Sequence, residues 1–300
     1  MTTTARLNAA MPANRSMSAA AAAAMLLCAC ANMGAGAPAP LSQERIAEIL
    51  ASPDRSAADR TNDVRRKPAE MLAFIGVRPG MVALDLVAGG GYTTELLARA
   101  VGPGGRVYGQ SAPRNPDRAP PAPAAPEGAS HPAVAGSAPP PAAVPAPARA
   151  APMTSAQRLA ERAKNPAAAN IVAVVQKYEN PVPAELASNG LDLVTLMFNY
   201  HDLGFLGVGR EQMNRAVFAA LKPGGIYVIA DHSGRPGTGI SESGTLHRVE
   251  DVFVRKEVEA AGFKLEAEGI FLRNPSDPRD KNTPDPPQPK DEFVFKFVKP

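Results

Sequence analysis

The sequence predicts an α/β protein built on a doubly wound, mostly parallel sheet of seven strands with an antiparallel last strand. Short apolar runs of strand length alternate along most of the chain with segments of helical periodicity. Three consecutive glycines, Gly89–Gly91, follow the first apolar run and precede a helical segment, which is the strand–turn–helix unit of such sheets. The last two strand-like runs are joined by a polar stretch, which predicts an antiparallel pair at one sheet edge.

The first half of the folded region contains two helices and then the first two strands. Helical periodicity begins near Leu41, and a second helix should begin at Pro68, because proline suits the first helical position. A Pro-Gly turn leads into the run 81–87, whose continuous apolar character is that of a buried parallel strand. Beyond the glycines, a helix over 93–101 and a short strand over 106–109 complete the unit.

The second half continues the same alternation. Asn189-Gly190 marks the turn before the fourth strand, and Lys222–Gly225 marks the turn before the fifth. The patterns predict helices over 155–164, 210–221 and 249–261, and strands over 171–175, 191–198, 226–230, 263–271 and 293–298.

Two further segments fall outside this alternation. The first 30 residues predict an export signal, because Arg6 and Arg15 precede a short apolar run followed by small residues. The Leu-x-Ala-Cys pattern ending at Cys30 resembles a bacterial lipobox. We therefore expect an exported, periplasmic protein. An acylated Cys30 would attach this protein to a membrane. The alternatives are ordinary signal cleavage without acylation and a start codon further downstream. Residues 31–40 predict a flexible tether.

The domain is predicted over residues 41–300, with an insertion at 111–152. The insertion holds 13 of the chain's 32 prolines, is otherwise mostly alanine, and has no apolar periodicity. Such a composition cannot bury enough surface to offset its ordering entropy, so we expect disorder there.

Composition also limits the chemistry. The net charge of +3 is small, and no basic run interleaved with aromatic residues predicts a nucleic-acid partner. The two cysteines, Cys28 and Cys30, lie in the predicted leader, so the domain has no disulfide or cysteine nucleophile. The sequence indicates no particular oligomeric state.

The end of the first strand predicts a ligand-binding loop. Asp85 precedes Gly89 and Gly91, and glycines allow a ligand to approach the backbone closely. The glycine spacing is not the G-x-G-x-x-G of dinucleotide-binding loops, which direct a helix N-terminus at a pyrophosphate. An acid beside the loop suits a cationic ligand such as S-adenosylmethionine better.

Polar residues after the fourth and fifth strands predict a second part of the same site, since ligands bind beyond the carboxyl ends of parallel strands. His201 is the candidate base, because imidazole titrates near neutral pH. Asp202 could orient it, although His201 and its neighbours could instead wall the pocket or cap a helix. The candidate catalytic residues are His201, Asp202, Asp231 and His232, and the candidate substrate contacts are Tyr200, His247 and Arg248. No metal is expected, because their spacing matches no compact ligand motif.

These motifs resemble those of a known family. Residues 85–92 resemble the first motif of class I S-adenosylmethionine-dependent methyltransferases, and residues 221–225 resemble the turn before one of their strands. More narrowly, the chain resembles a group of exported bacterial predicted methyltransferases, through residues 66–68, 89–92, 199–202, 231–232, 244–248 and 272–275. The resemblance implies a Rossmann-like methyltransferase fold and methyl transfer to a small-molecule acceptor. It also implies that S-adenosylmethionine is bound by Asp85, Val87, Gly89, Gly91, Tyr92, Gln110 and Asn199.

Two residues depart from the family pattern. Val87 stands where the family usually has glycine, and Gln110 stands where it has an acid that accepts both ribose hydroxyls. Glutamine lacks the charge-assisted strength of a carboxylate. A catalytically silent module that binds S-adenosylmethionine or a nucleotide is therefore the alternative hypothesis. A nicotinamide-linked dehydrogenase is a third, which the glycine spacing disfavours.

Overall fold

The structure, a computed structural model, describes residues 38–114, 152–282, 284 and 288–300. The predicted leader, most of the tether and nearly all of the predicted insertion lie outside these residues. Within them, no helix is both long and apolar enough to cross a membrane.

Eight α-helices, two short 3-10 helices and seven strands are present in the described residues. The α-helices are α1 (Gln43–Ala51), α2 (Ala57–Arg66), α3 (Pro68–Ile75), α4 (Tyr92–Val101), α5 (Ser155–Arg162), α6 (Tyr200–Phe205), α7 (Arg210–Ala220) and α8 (Asp251–Ala260). The strands are β1 (Val82–Leu86), β2 (Arg106–Ser111), β3 (Ile171–Val175), β4 (Leu191–Met197), β5 (Leu221–His232), β6 (Lys264–Gly269) and β7 (Glu292–Val298).

The strands form one sheet in the order β3-β2-β1-β4-β5-β7-β6. The first four neighbouring pairs are parallel, and β7 is antiparallel to both β5 and β6. The prediction of a doubly wound seven-stranded sheet with an antiparallel last strand is confirmed. The strand order reverses between β1 and β4, so their carboxyl ends form the crevice in which such sheets bind ligands.

Helices cover both faces of the sheet and bury two apolar cores. Ala83 of β1 belongs to the core beneath α1, α3, α4 and α5. Leu84 and Leu86 belong to the core beneath α6, α7 and α8. Because successive side chains of a strand alternate between faces, Asp85 lies on the same face as α4.

The main differences from the prediction are two unpredicted helices and the ends of several strands, including β5, which begins at Leu221 within the predicted turn. Helix α2 was not predicted, because this segment is almost entirely polar and buries only Asp59. Hydrophobic periodicity cannot reveal such a helix, although Ser56 caps it by accepting a hydrogen bond from the Asp59 amide. Helix α6 occupies residues expected to be a loop. Strand β2 extends to Ser111, a residue assigned to the insertion.

Candidate active site

The loop between β1 and α4 has a backbone that favours glycine. Val87, Gly89 and Gly91 all have a positive φ, of 53°, 55° and 81° respectively. A β-branched residue such as valine is rarely found in this region, and the conformation costs of order 1–3 kcal/mol. The loop therefore has, at Val87, the backbone conformation that glycine usually adopts in ligand-binding loops. The valine is strained in this conformation.

One face of this loop is open and the other is packed. A Cβ atom added to Gly90 would meet no atom within 4 Å, whereas one added to Gly91 would lie 2.8 Å from Leu159 and Arg162. Ser155 Oγ and Arg162 Nε donate hydrogen bonds of 2.6 Å to the Gly89 and Gly90 carbonyls. Helix α5 thus holds the loop from one side and leaves the Gly90 side accessible to a ligand.

Gln110 braces this loop, which corrects the expectation that its amide meets ribose hydroxyls. Its side chain is fully buried. Its Oε1 accepts a hydrogen bond of 3.1 Å from the Val87 amide, and its Nε2 donates one of 2.7 Å to the Gln176 carbonyl. Because the amide is wholly buried and bonded to the protein at both ends, Gln110 holds the loop rather than presenting its amide to solvent.

Asp85 is buried at the end of β1 beside the loop. Thr94 Oγ1 donates a hydrogen bond of 2.6 Å to one carboxylate oxygen, and Thr195 Oγ1 donates one of 2.8 Å to the other. Burial raises the pKa of Asp85 to about 6, against the opposing effect of the two threonine hydroxyls. Asp85 is therefore a carboxyl that a nearby cation would ionise. Neither threonine belongs to a recognisable sequence motif, so the sequence alone predicts neither of these contacts.

A small cleft lies between α3, the start of α4 and the end of β4. It is lined mainly by apolar side chains of α3 and α4, together with Arg66, Tyr92, Thr93 and Phe198. The Arg66 guanidinium carbon lies 3.9 Å from the centroid of the Phe198 ring, a cation–π contact. The Tyr92 hydroxyl donates to Asp63 at 2.7 Å, so Tyr92 contributes its ring to the cleft.

The predicted residues beyond β4 and β5 form a tight pair. His201 Nδ1 lies 2.6 Å from Asp231 Oδ1, and the His201 amide donates a hydrogen bond of 2.8 Å to Asp231 Oδ2. Asp231 is fully buried and His201 is 3% exposed. Asp231, rather than the predicted Asp202, orients the imidazole. With Nδ1 facing a carboxylate, the proton of a neutral His201 resides there, and Nε2 carries the lone pair.

Charges around this pair shift its protonation. Burial lowers the pKa of His201, but attraction to Asp231 and Asp202 outweighs burial and raises it overall. The pKa of Asp231 is lowered, because His201 more than offsets the cost of burying its charge. The pKa of His232 lies well below its ordinary value, chiefly through burial and then through repulsion by Lys290. His232 is thus neutral at physiological pH.

Asp202 and His247 lie on the other side of His201. Asp202 Oδ1 is 3.4 Å from His201 Nε2 and 3.5 Å from His247 Nδ1. The His201 ring centroid lies 5.4 Å from that of His232 and 5.5 Å from that of His247. The fold thus places four of the predicted side chains around His201: Asp202, Asp231, His232 and His247.

Three predicted contacts point elsewhere. Arg248, expected to meet substrate, is wholly buried: it forms an ion pair of 2.9 Å with Asp277 and donates to the Ser233 carbonyl. Tyr200, also expected to meet substrate, is fully buried, and its hydroxyl donates to Glu257 at 2.7 Å. Asn199 uses its amide nitrogen to donate to the Met197 carbonyl at 2.7 Å. The first two anchor the fold, and Asn199 fixes the turn after β4.

Comparisons with known proteins agree with the fold. No protein-family model and no curated protein matches the chain. A solved S-adenosylmethionine-dependent methyltransferase from Aquifex aeolicus is similar over 87% of this chain and 100% of its own, with a TM-score of 0.51 and 15% identity. An arsenic(III) S-adenosylmethionine methyltransferase from Chlamydomonas reinhardtii has a TM-score of 0.47 and 15% identity, covering 88% of this chain and 74% of its own. The chain therefore has the Rossmann-like methyltransferase fold.

Proposed function

We propose that this protein transfers the methyl group of S-adenosylmethionine to a small-molecule acceptor. One observation carries the proposal: the glycine loop follows β1 and the histidine cluster follows β4 and β5, so both lie at the carboxyl ends of neighbouring strands. The cleft at the start of α4 reaches Phe198, whose ring centroid lies 5.6 Å from that of His232, and His232 in turn lies beside His201. A cofactor seated at the loop would present its reactive group toward these side chains.

The residues of the loop fit S-adenosylmethionine, which supplies a methyl group on a positively charged sulfur. The open side of Gly90 can accept a ligand against the backbone. The buried carboxyl of Asp85 complements a cationic ligand, and the ring of Phe198 adds an apolar wall. Gly89 and Gly91 shape the loop, while Gln110 holds it through the Val87 amide.

In this proposal the methyl acceptor binds next to His201. Asp231 fixes the imidazole ring, so that Nε2 faces Asp202 and the more exposed His247. An acceptor hydroxyl or amine there would give its proton to His201 Nε2 as its lone pair attacks the methyl carbon. The carbon–sulfur bond would break in the same step, with S-adenosylhomocysteine as the leaving group. Holding the acceptor in line with the methyl group would be the protein's main contribution to the rate.

A catalytically silent module of the same fold is the second candidate function. The observation that favours it is the lack of a ribose-binding acid on β2, where the buried Gln110 amide already has two protein partners. Such a module would bind S-adenosylmethionine without turning it over. Measurable product with any acceptor rejects it.

The cellular setting that we propose follows from the sequence. The leader pattern supports export to the periplasm, with acylated Cys30 as the attachment to a membrane. The near-balanced charge supports a small-molecule acceptor and no nucleic-acid partner. The motifs quoted above support membership of the exported bacterial predicted methyltransferases. Replacing Cys30 with alanine should release the protein from the membrane fraction of its host, and unchanged membrane association would reject acylation.

The two faces of the glycine loop supply a matched test of cofactor placement. Gly90→Ala should leave the melting temperature unchanged and lower the affinity for S-adenosylmethionine about tenfold, because its methyl group fills the open face. Gly91→Ala should lower the free energy of unfolding by about 2 kcal/mol, since it combines a φ of 81° with contacts of 2.8 Å. Thermal unfolding and calorimetric titration measure both effects. Unchanged affinity in Gly90→Ala would show that the cofactor does not use this face.

A further inference from the structure

Three side chains in the crevice combine ligand types that bind transition metals. His201, Asp202 and His247 each offer one donor atom, and these atoms all lie within 4.8 Å of one another. Two imidazole nitrogens and one carboxylate oxygen form the ligand set of catalytic zinc sites that keep an open position. The sequence predicts no metal here, because the spacing of these residues, from position 201 to position 247, matches no compact ligand motif.

The two separations from Asp202 fit a shared ion better than direct hydrogen bonds. Asp202 Oδ1 lies 3.4 Å from His201 Nε2 and 3.5 Å from His247 Nδ1. Good N–H···O hydrogen bonds have distances of about 2.7–3.2 Å. Two ligands at the corners of a tetrahedron around zinc, each bonded at about 2.0–2.1 Å, are separated by about 3.4 Å. The gap at Asp202 is therefore of the size that an ion would bridge.

The partner of His201 on its other side also favours metal binding. Asp231 Oδ1 lies 2.6 Å from His201 Nδ1 and fixes the ring, so that Nε2 faces Asp202. Histidine ligands of metals usually donate their second N–H to a carboxylate or carbonyl, which fixes the tautomer and makes the ligand nitrogen more basic. The Asp231–His201 pair already has this arrangement.

The chain presents His247 at some conformational cost. Its φ is 51°, a strained value for a residue other than glycine. The neighbouring Arg248 anchors the segment through its buried ion pair with Asp277 and its hydrogen bond to the Ser233 carbonyl. This anchor holds the His247 imidazole at the rim, where 45% of the side chain is exposed. An ion bound here would keep free positions for water or for an acceptor.

We propose that His201 Nε2, the Asp202 carboxylate and His247 Nδ1 form a binding site for one divalent transition-metal ion, best matched by Zn²⁺. A bound ion of this kind lowers the pKa of a coordinated hydroxyl. In the metal-bound protein His201 is a ligand, and the acceptor's proton passes to solvent. The acceptor class is then a small molecule with a metal-coordinating hydroxyl. This role in methyl transfer rests on the proposed function, but the metal site itself does not.

The test uses the full chain without a histidine tag, stripped with a chelator and titrated with Zn²⁺ in a calorimeter. We expect one ion per chain, with the affinity lowered about tenfold or more in Asp202→Asn and in His247→Asn. Both side chains are partly exposed, so the metal-free variants should melt close to the original protein. Asp231→Asn should also weaken binding about tenfold, through loss of the oriented ring. His131→Asn, the matched control outside the described residues, should bind normally.

A second readout tests the geometry. Co²⁺ should give visible absorption bands of a low-coordinate site in the original protein, and His247→Asn should alter or abolish them. Absence of stoichiometric binding, or binding that neither Asp202→Asn nor His247→Asn weakens, would overturn the site. Because S-adenosylmethionine is absent from these titrations, their failure leaves the proposed methyl transfer untouched, and a failure to bind S-adenosylmethionine leaves the metal site untouched.

Discussion

Replacing His201 with asparagine is expected to lower methyl-transfer turnover about a hundredfold or more, while the affinity for S-adenosylmethionine stays within a few-fold of normal. In the proposed reaction His201 takes the acceptor's proton, whereas the Gly90 side of the loop is formed by other residues. Production of S-adenosylhomocysteine is measured with the first acceptor found by screening small nucleophiles, together with calorimetry for the cofactor. Equal turnover in the variant would remove His201 from the reaction.

Two further variants separate chemistry from folding. Asp231→Asn should lower kcat more than it raises KM, because it releases the imidazole from its fixed orientation and leaves the crevice open. If Asp231→Asn melts normally and loses only affinity for the cofactor, Asp231 and His201 would form a wall of the cofactor pocket and would take no part in the reaction. His131→Asn serves as the matched histidine control, and we expect it to retain full turnover.

Replacing Asp85 with asparagine is expected to stabilise the cofactor-free protein at pH 8 while weakening cofactor binding. Folding raises the Asp85 pKa from 3.8 to about 6, so the folded protein holds the proton more tightly than the unfolded chain does. The contribution of Asp85 to stability is therefore greatest below pH 4 and falls as the pH rises through about 6. Above that range, the buried charge costs about 2–3 kcal/mol, which asparagine avoids.

Urea unfolding of both proteins between pH 4 and pH 8 measures this effect. The difference in unfolding free energy should be small at pH 4 and should favour Asp85→Asn increasingly up to about pH 7. The affinity for S-adenosylmethionine should fall about tenfold or more, because the neutral amide cannot complement a cationic ligand. Thr94→Val is the matched control, since it removes one hydrogen bond to Asp85 and keeps the carboxylate. A stability difference that does not vary with pH would contradict the burial argument.

The sheet was predictable because its signals are local. Continuous apolar runs gave β1, β3 and β4 to within two residues at either end, and the terminal pair gave the antiparallel strand. Helix α2 could not be predicted in this way, since its buried residue is the charged Asp59, which pairs with Arg162 from a distant segment. Such a helix is defined by tertiary ion pairs that no local pattern reveals.

The candidate site was predictable in its position but not in the directions of its side chains. The rule that ligands bind at the carboxyl ends of strands correctly grouped His201 with Asp231. It could not show that Tyr200 and Arg248 point into the protein, because residues 200–205 were not recognised as a helix and Asp277 is remote in sequence. The position of a residue after a strand determines that it lies at the carboxyl edge of the sheet. The direction of its side chain depends on tertiary packing, which the local sequence does not reveal.

Calorimetric titration of the intact domain with S-adenosylmethionine, S-adenosylhomocysteine and NAD⁺ tests the central claim most directly. A methyltransferase crevice at the Asp85 loop predicts one site per chain for the first two ligands, with weaker binding in Gly90→Ala, and no binding of NAD⁺. S-adenosylmethionine should also release a proton near pH 6 as Asp85 ionises, seen as a heat that varies with the buffer. Binding of NAD⁺ alone, or of none of the three, would contradict the account.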